Sequence, residues 1–311
     1  MKLVFCGTPD FAVPSLQAVV AAGHKVALVL TQPDRPAGRK MELQIPAVKQ
    51  AALSLGLRVE QPEKIKNNLE LRATLEAIQP DAIVVVAYGR IIPQWMLDLP
   101  RFGNLNVHGS LLPKYRGAAP IQWAVANGET ETGVTTMKLD ASLDTGDTLL
   151  MESVAIGPDT TSADLYPKLS QVGAALLIAT LAGLEDGTLQ LQPQNHTEAS
   201  LAPILGREDG RLHLTQQTAT EAYNRWRGFS PWPGAHATFR GKRFLVHRMH
   251  PVENGPELEP GEFDASTGKL LVGAAHGSLL VLDEVQMEGK PKLAGALFAR
   301  DFQLKAGEHL D

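Results

Sequence analysis

Residues 81–87 read Asp81-Ala82-Ile83-Val84-Val85-Val86-Ala87, the most strongly β-like run in the chain. An apolar run without alternation fits a strand covered on both faces, as in the middle of a parallel sheet. The segments on either side alternate as such a sheet requires. Upstream, Leu3 to Cys6 is a compact apolar run ended by Gly7-Thr8-Pro9-Asp10. Phe11 to Ala22 then carries helical spacing up to Gly23, and Val26 to Leu30 is a second buried-type strand. Ile45 to Leu55 and Leu69 to Ile78 read as helices, with Val59 ending a short strand between them. Downstream, Leu105 and Val107 alternate with Asn106 and His108 as in a half-buried strand. Ile121 to Ala126 reads as a short helix, Val134 to Leu139 and Leu149 to Ile156 as strands, and Leu165 to Leu184 as a long helix with Pro167 near its start. The reading is an α/β chain with an open, Rossmann-like, mostly parallel sheet and helices on both faces.

Composition changes after about Gly187, where Gln190 to Glu198 is polar and irregular. Beyond it, short strands at 237–239, 244–247, 269–272 and 278–285 are punctuated by Gly241, Asn254-Gly255, Thr267-Gly268 and Gly277, the pattern of a small β-barrel. The expected division is a catalytic domain at 1–188, a linker at 189–207 and a smaller, OB-like barrel at 208–311. Trp226, Phe229 and Trp232 are expected in the core of that barrel domain. Arg225, Arg227, Arg240, Lys242, Arg243 and Arg248 crowd its first part, a pattern that fits either an ordinary solvated surface or a basic face for nucleic acid.

A net charge of −5 over 311 residues argues against affinity for nucleic acid through the field of the whole molecule. The single cysteine, Cys6, excludes an internal disulfide and lies in an apolar run, which predicts a buried thiol. His236, His247, His250 and His276 are scattered over different β segments and form no metal-ligand set, so no metal is expected. No membrane span of roughly 20 apolar residues is expected, and no secretory leader is expected ahead of the first strand. A cytoplasmic chain is expected, and a monomer, since no long apolar edge or heptad pattern demands a partner. The first turn holds only Gly7, with no acidic residue closing the second strand, so a dinucleotide site is poorly supported.

The chemistry concentrates between Gly103 and Asp147. Asn106 and His108 stand two apart and project from one face of their strand. Asp144 sits in a Gly- and Asp-rich turn after a second β-like run, and both runs are expected to end at the same edge of the sheet. An amide, an imidazole and a carboxylate are the groups needed to stabilise an oxyanion, move a proton and orient the group that moves it. Thr31 to Lys40, with Arg35, Arg39 and Lys40, forms a Pro/Gly-rich basic loop at a strand's carboxyl end, the side where such sheets bind ligands.

With these residues in place, the sequence resembles the methionyl-tRNA formyltransferase family along nearly its whole length. The resemblance rests on G-T-P-D-F (7–11), T-Q-P-D-R-P-A-G-R (31–39), V-V-V-A-Y-G (84–89), N-V-H-G-S-L-L-P-x-x-R-G-A-A-P-I (106–121), T-G-V-T with L-D-T-G-D (132–147), and F-S-P-W-P-G (229–234). Sugar-nucleotide formyltransferases share H-G-S-L-L-P-K-Y-R-G and are the alternative. They lack the basic loop. The resemblance implies formyl transfer from 10-formyltetrahydrofolate to the α-amino group of methionine on initiator tRNA, with Asn106, His108 and Asp144 catalytic. It also implies a folate pocket walled by Ser110, Leu111, Leu112 and Pro113 and by Tyr88, Gly89, Arg90 and Ile91. Arg35, Arg39, Lys40 and Arg243 would then contact tRNA. Met287 to Pro291 departs from the family's usual pattern at that point.

Overall fold

The computed structural model describes residues 1–37 and 42–311. Arg39 and Lys40, expected in the basic loop, lie outside the described residues. The chain packs as two compact units: Met1–Pro120, Glu131–Ala155 and Leu165–Pro203 form one, and Ile121–Thr130, Ile156–Asp164 and Ile204–Asp311 form the other.

The first unit is built on seven strands: β1 (Lys2–Gly7), β2 (Lys25–Leu30), β3 (Val59–Glu60), β4 (Ala82–Val86), β5 (Asn104–His108), β6 (Glu131–Lys138) and β7 (Thr148–Ala155). Their order is β7-β6-β5-β4-β1-β2-β3. From β5 through β3 all neighbours are parallel, while β6 and β7 are antiparallel. All five residues of β4 are buried, as expected of a continuous apolar run in mid-sheet. The helix Leu69–Ile78, whose first turn is capped by the Asn68 side chain, supplies Leu71 and Leu75 to the face that carries Val4, Cys6, Ile83 and Val85. The other face meets the helix Ser162–Glu185, where Gly173 lies so close that a Cβ would stand 2.7 Å from Val107.

By length and a mean hydropathy of 1.3 that helix is long and apolar enough to cross a membrane, which corrects the expectation that no stretch is. Its Leu165, Leu169, Leu177 and Leu181 are buried to within 1% exposure, so its apolar side faces protein.

Residues 189–203 do not behave as a tether. Gln192 and Thr148 exchange both main-chain hydrogen bonds at 2.9 Å, and Leu201–Ala202 pairs in parallel with Arg116–Gly117. The linker expected at 189–207 is therefore largely a strap on the first unit, because its polar side chains find buried partners there. The boundary expected at 188 is also not a single cut. Segments 121–130 and 156–164 pack with the C-terminal residues. The Arg227 guanidinium donates to the carbonyls of Gly157 and Thr160, and Gly228 presses on Ala126.

In the second unit the strands run Ala235–Phe239, Lys242–Val252, Leu279–Met287, Leu271–Gly273, Phe263–Asp264, with Leu293–Ala294 added beside Leu279–Met287. Phe239, Phe244, Phe263 and Phe298 meet edge-on in the core with centroids 5.2–6.2 Å apart. The two outer strands are joined by the last residues of the chain. Asp311 exchanges two hydrogen bonds with Thr238, while Glu308 and Leu310 bond to Phe263 and Gly261. That tail gives the sheet edges a partner and closes the barrel.

Candidate active site

Strand β5 pairs in register with β4, Asn106 opposite Val85. Period-two alternation turns Leu105 and Val107 to the face covered by the long helix and Asn106 and His108 to the other. Asn106 is half-buried and His108 only 5% exposed.

Asp144 reaches these two side chains by an unexpected route. Because β6 is antiparallel to β5, Lys138 stands opposite Leu105 and Thr135 opposite His108. The loop after β6 therefore leaves from the end of the sheet where β5 begins, not from a shared edge. It folds back over the sheet face instead. Asp140 braces the turn by accepting from the Ser142 N–H and the Thr145 hydroxyl. Gly146 is required, since a Cβ would fall 1.9 Å from the Lys138 carbonyl oxygen. Asp144 itself has φ +52°, a left-handed conformation that costs a non-glycine residue about 1–3 kcal/mol and clusters at functional sites.

The result is a carboxylate with three neighbours. Its Oδ1 lies 3.5 Å from Asn106 Nδ2, its Oδ2 lies 3.7 Å from His108 Nδ1, and Oδ2 accepts the Gly117 N–H at 2.9 Å. His108 Nε2 lies 2.9 Å from the carbonyl oxygen of Tyr115. A carbonyl only accepts, so Nε2 carries a proton. Nδ1 is then the nitrogen that faces Asp144, and a proton placed on it makes an imidazolium beside a carboxylate. The ring is oriented by the Tyr115 carbonyl, a partner the sequence did not indicate. Tyr115 also has positive φ, +60°.

Two further side chains escaped the sequence reading. Gln194, 8% exposed, donates to the carbonyls of Asp144 and Gly146, and the buried Arg116 donates to it. Arg116 lies in the R-G-A-A-P motif, but nothing in the irregular stretch 190–198 marked Gln194 out.

The residues expected around a folate pocket divide. The Ser110 hydroxyl is fully buried and donates to the Lys114 carbonyl, and the Ser110 carbonyl accepts from Thr135. Ser110 thus shapes its own loop. Leu112 is buried, with its N–H on Thr135 Oγ1, while Leu111 and Pro113 are half-buried. The Tyr88 ring is core, 1% exposed beside Cys6, and burial pushes its phenol well above the usual range. Its carbonyl accepts from Thr8 and Gln32 instead. Gly89 turns with φ +73°, Arg90 donates to the Glu63 carbonyl, and Ile91 stands 90% exposed. Leu139 packs into the same apolar cluster as Tyr88 and Ile92, so this loop and the Asp144 loop adjoin.

Of the basic residues, Arg35 is exposed and paired with Glu63 at 2.6 Å. Arg243 is half-buried, and among the described residues its Nε has no hydrogen-bond partner. The expected basic face of the second unit is smaller than its sequence suggests. Arg225 lies over the Phe229 ring and donates to the Asp209 carbonyl, Arg227 is 4% exposed, and Arg240 grips Glu308 through two 2.7 Å bonds. Trp232, expected in the core, is 56% exposed.

An amide, an imidazole and a carboxylate held over one face of this sheet are groups able to stabilise an oxyanion and move a proton. Residues 1–181 match the family described as "Formyl transferase" and residues 204–303 the one described as "Formyl transferase, C-terminal domain". The chain is 59% identical over 300 residues to the methionyl-tRNA formyltransferase of Acidobacterium capsulatum, covering 96% of each. It is 60% identical over 302 residues to that of Koribacter versatilis, covering 97% of this chain and 95% of the other. Among solved structures, WlaRD, a sugar 3N-formyl transferase in the presence of dTDP and 5-N-formyl-THF, matches with a TM-score of 0.67 at 16% identity, covering 94% of this chain and 99% of its own. That likeness is one of fold alone. The chain belongs to the methionyl-tRNA formyltransferase family.

Proposed function

We infer that this chain transfers a formyl group from 10-formyltetrahydrofolate to the α-amino group of methionyl initiator tRNA. The observation that carries the reading is the Asp144 carboxylate set 3.5 Å from the Asn106 amide and 3.7 Å from His108 Nδ1, in a chain so similar to methionyl-tRNA formyltransferases.

The folate co-substrate supplies the formyl carbon and the nitrogen that leaves it. The surroundings fit an apolar ring: Ile91 and Leu143 are 90% and 65% exposed on the two adjoining loops. The Asn106 amide donates to the formyl oxygen as negative charge grows there. Losing one such donor costs about 10²–10³ in rate. His108 keeps Nε2–H on the Tyr115 carbonyl throughout. Nδ1 is the position at which the ring holds or passes a proton, and Asp144 stabilises the ring while that proton is present. Burial of His108 and Asp144 keeps water from screening this interaction.

For tRNA, Arg35 and the neighbouring Arg39 and Lys40 of the basic loop, together with Arg243, are assigned to phosphate contacts, and binding then weakens steeply with salt. The experiment gives purified protein 10-formyltetrahydrofolate with methionylated initiator tRNA and, separately, with an amino-sugar nucleotide. N-formylmethionine in the first and no product in the second is expected. The reverse result refutes the reading.

A further inference from the structure

Gln194 carries no charge and no nucleophile, yet its amide is buried and all its hydrogen-bonding capacity is used. Nε2 donates to the main-chain carbonyls of Asp144 at 2.9 Å and Gly146 at 2.7 Å. Oε1 accepts from Arg116 Nε at 3.1 Å and Nη2 at 2.6 Å. A carboxamide offers two N–H donors and two lone pairs, so none is left over.

We propose that Gln194 is a positioning residue for formyl transfer, a clamp that holds the Asp144 carboxylate at working distance from His108 by gripping the main chain on both sides of Thr145. This rests on the function proposed above. The clamp acts through the backbone of Asp144, and its amide bonds carbonyls, not the carboxylate.

Three features make a clamp necessary here. Asp144 holds a left-handed backbone, a conformation that persists in a non-glycine residue only where its surroundings hold it, and the Asp140 brace bonds Ser142 and Thr145 and leaves the Asp144 carbonyl to Gln194. The carboxylate has one short hydrogen bond, from Gly117, while its distances to Asn106 and His108 are 3.5 and 3.7 Å. The donor Gly117 itself depends on the strap, because its φ of +126° and close approach to Ala202, 2.5 Å from a hypothetical Cβ to the carbonyl oxygen, leave room only for glycine. The strap is pinned at both ends of the clamp, by Gln192 on Thr148 and by Leu201–Ala202 on Arg116–Gly117. Arg116 fixes the amide's orientation: its guanidinium can only donate, so Oε1 must face it and Nε2 must face the loop.

The test uses Gln194→Glu and Gln194→Leu in the full chain. Glutamate keeps the acceptor for Arg116 at nearly the same volume but loses the N–H donors, while leucine loses both. Single-turnover formylation at saturating substrates is expected to slow by about 10- to 100-fold in each, since displacements of about 1 Å cost that much. KM for methionyl-tRNA is expected to stay within about threefold. The thermal midpoint checks folding, and the glutamate variant carries the test if the leucine variant does not fold.

A residue acting only through Asp144 adds nothing once Asp144 is gone. Gln194→Glu is therefore expected to lower the residual rate of Asp144→Ala by less than about twofold. A drop of tenfold or more in that background overturns the proposal, as do unchanged rates in both single variants or a loss confined to KM. If Asp144→Ala formylates far more slowly than wild type while the Gln194 variants match wild type, the clamp alone is refuted. Wild-type protein without formylation activity refutes the functional reading and the clamp with it.

Discussion

The sharpest prediction concerns Asp144→Asn, a change that removes a charge and almost no volume. In the wild type Oδ2 faces His108 Nδ1 at 3.7 Å, with the two side chains only 10% and 6% exposed. At that distance and an effective dielectric constant of about 20, Coulomb's law gives an attraction between carboxylate and imidazolium of about 4 kcal/mol. Asparagine forfeits it. The loop stays in place, because Gln194 bonds main-chain carbonyls, and the Gly117 N–H still finds an acceptor in the amide oxygen. If the ring must carry a proton on Nδ1 in the transition state, the loss appears there and not in ground-state binding. The expected outcome is a fall in kcat of about 10³-fold, with KM for methionyl-tRNA changed by less than about threefold. The assay is single-turnover formylation by rapid quench, read as N-formylmethionine released from tRNA, with a thermal melt to show that the fold is intact. A variant within tenfold of wild type shows that the charge on Asp144 is not what His108 needs, and the proton-handling role given to Nδ1 then falls.

Three other outcomes follow from the packing. Cys6 is fully buried, and burial pushes its thiol far above its ordinary range. Native protein should resist a thiol reagent at pH 8 that labels the denatured chain completely; rapid labelling of the native state contradicts the buried assignment. Arg227→Leu leaves the carbonyls of Gly157 and Thr160 and the Asn224 side chain without their donor, which should cost about 2–4 kcal/mol by denaturant titration. A change under about 0.5 kcal/mol would show that water replaces it. The Arg240 guanidinium, through its hydrogen bonds, holds the Glu308 carboxyl down at about 2, below an ordinary glutamate at about 4.3. A carboxyl depressed on folding contributes stability that is fully present above about pH 4.3 and is lost as pH falls through about 2. The gap in thermal midpoint between wild type and Glu308→Gln should therefore be widest at neutral pH and vanish near pH 2. A gap constant across that range refutes the assignment.

The parallel core was legible because its causes are local. A run such as Ile83 to Val86 has no polar residue to put on either face, so it can only be buried on both sides. The same holds for Asn106 and His108, which share a face by the two-residue period of any strand. Four of the barrel strands could be placed because Gly and Asn-Gly turns interrupt them, although nothing marked the short strands Phe263–Asp264 and Leu293–Ala294 or the last four residues that close the sheet. The arginines show where composition misleads. Arg225, Arg227 and Arg240 looked like a binding face, yet each is committed to a ring, a carbonyl or a carboxylate within the second unit.

The sequence alone determined the two kinds of sheet, the chemical types of the candidate trio and the pairing of Asn106 with His108, all properties of spacing along a few residues. Tertiary structure decided how Asp144 arrives, which ring nitrogen of His108 faces it, and that a glutamine from an irregular stretch grips the loop between them. Those depend on the antiparallel direction of β6 and on contacts between residues 50 apart in the case of Gln194 and Asp144. Such contacts form only because burial leaves unpaired amides and carbonyls no water to bond, and so drives them to find one another.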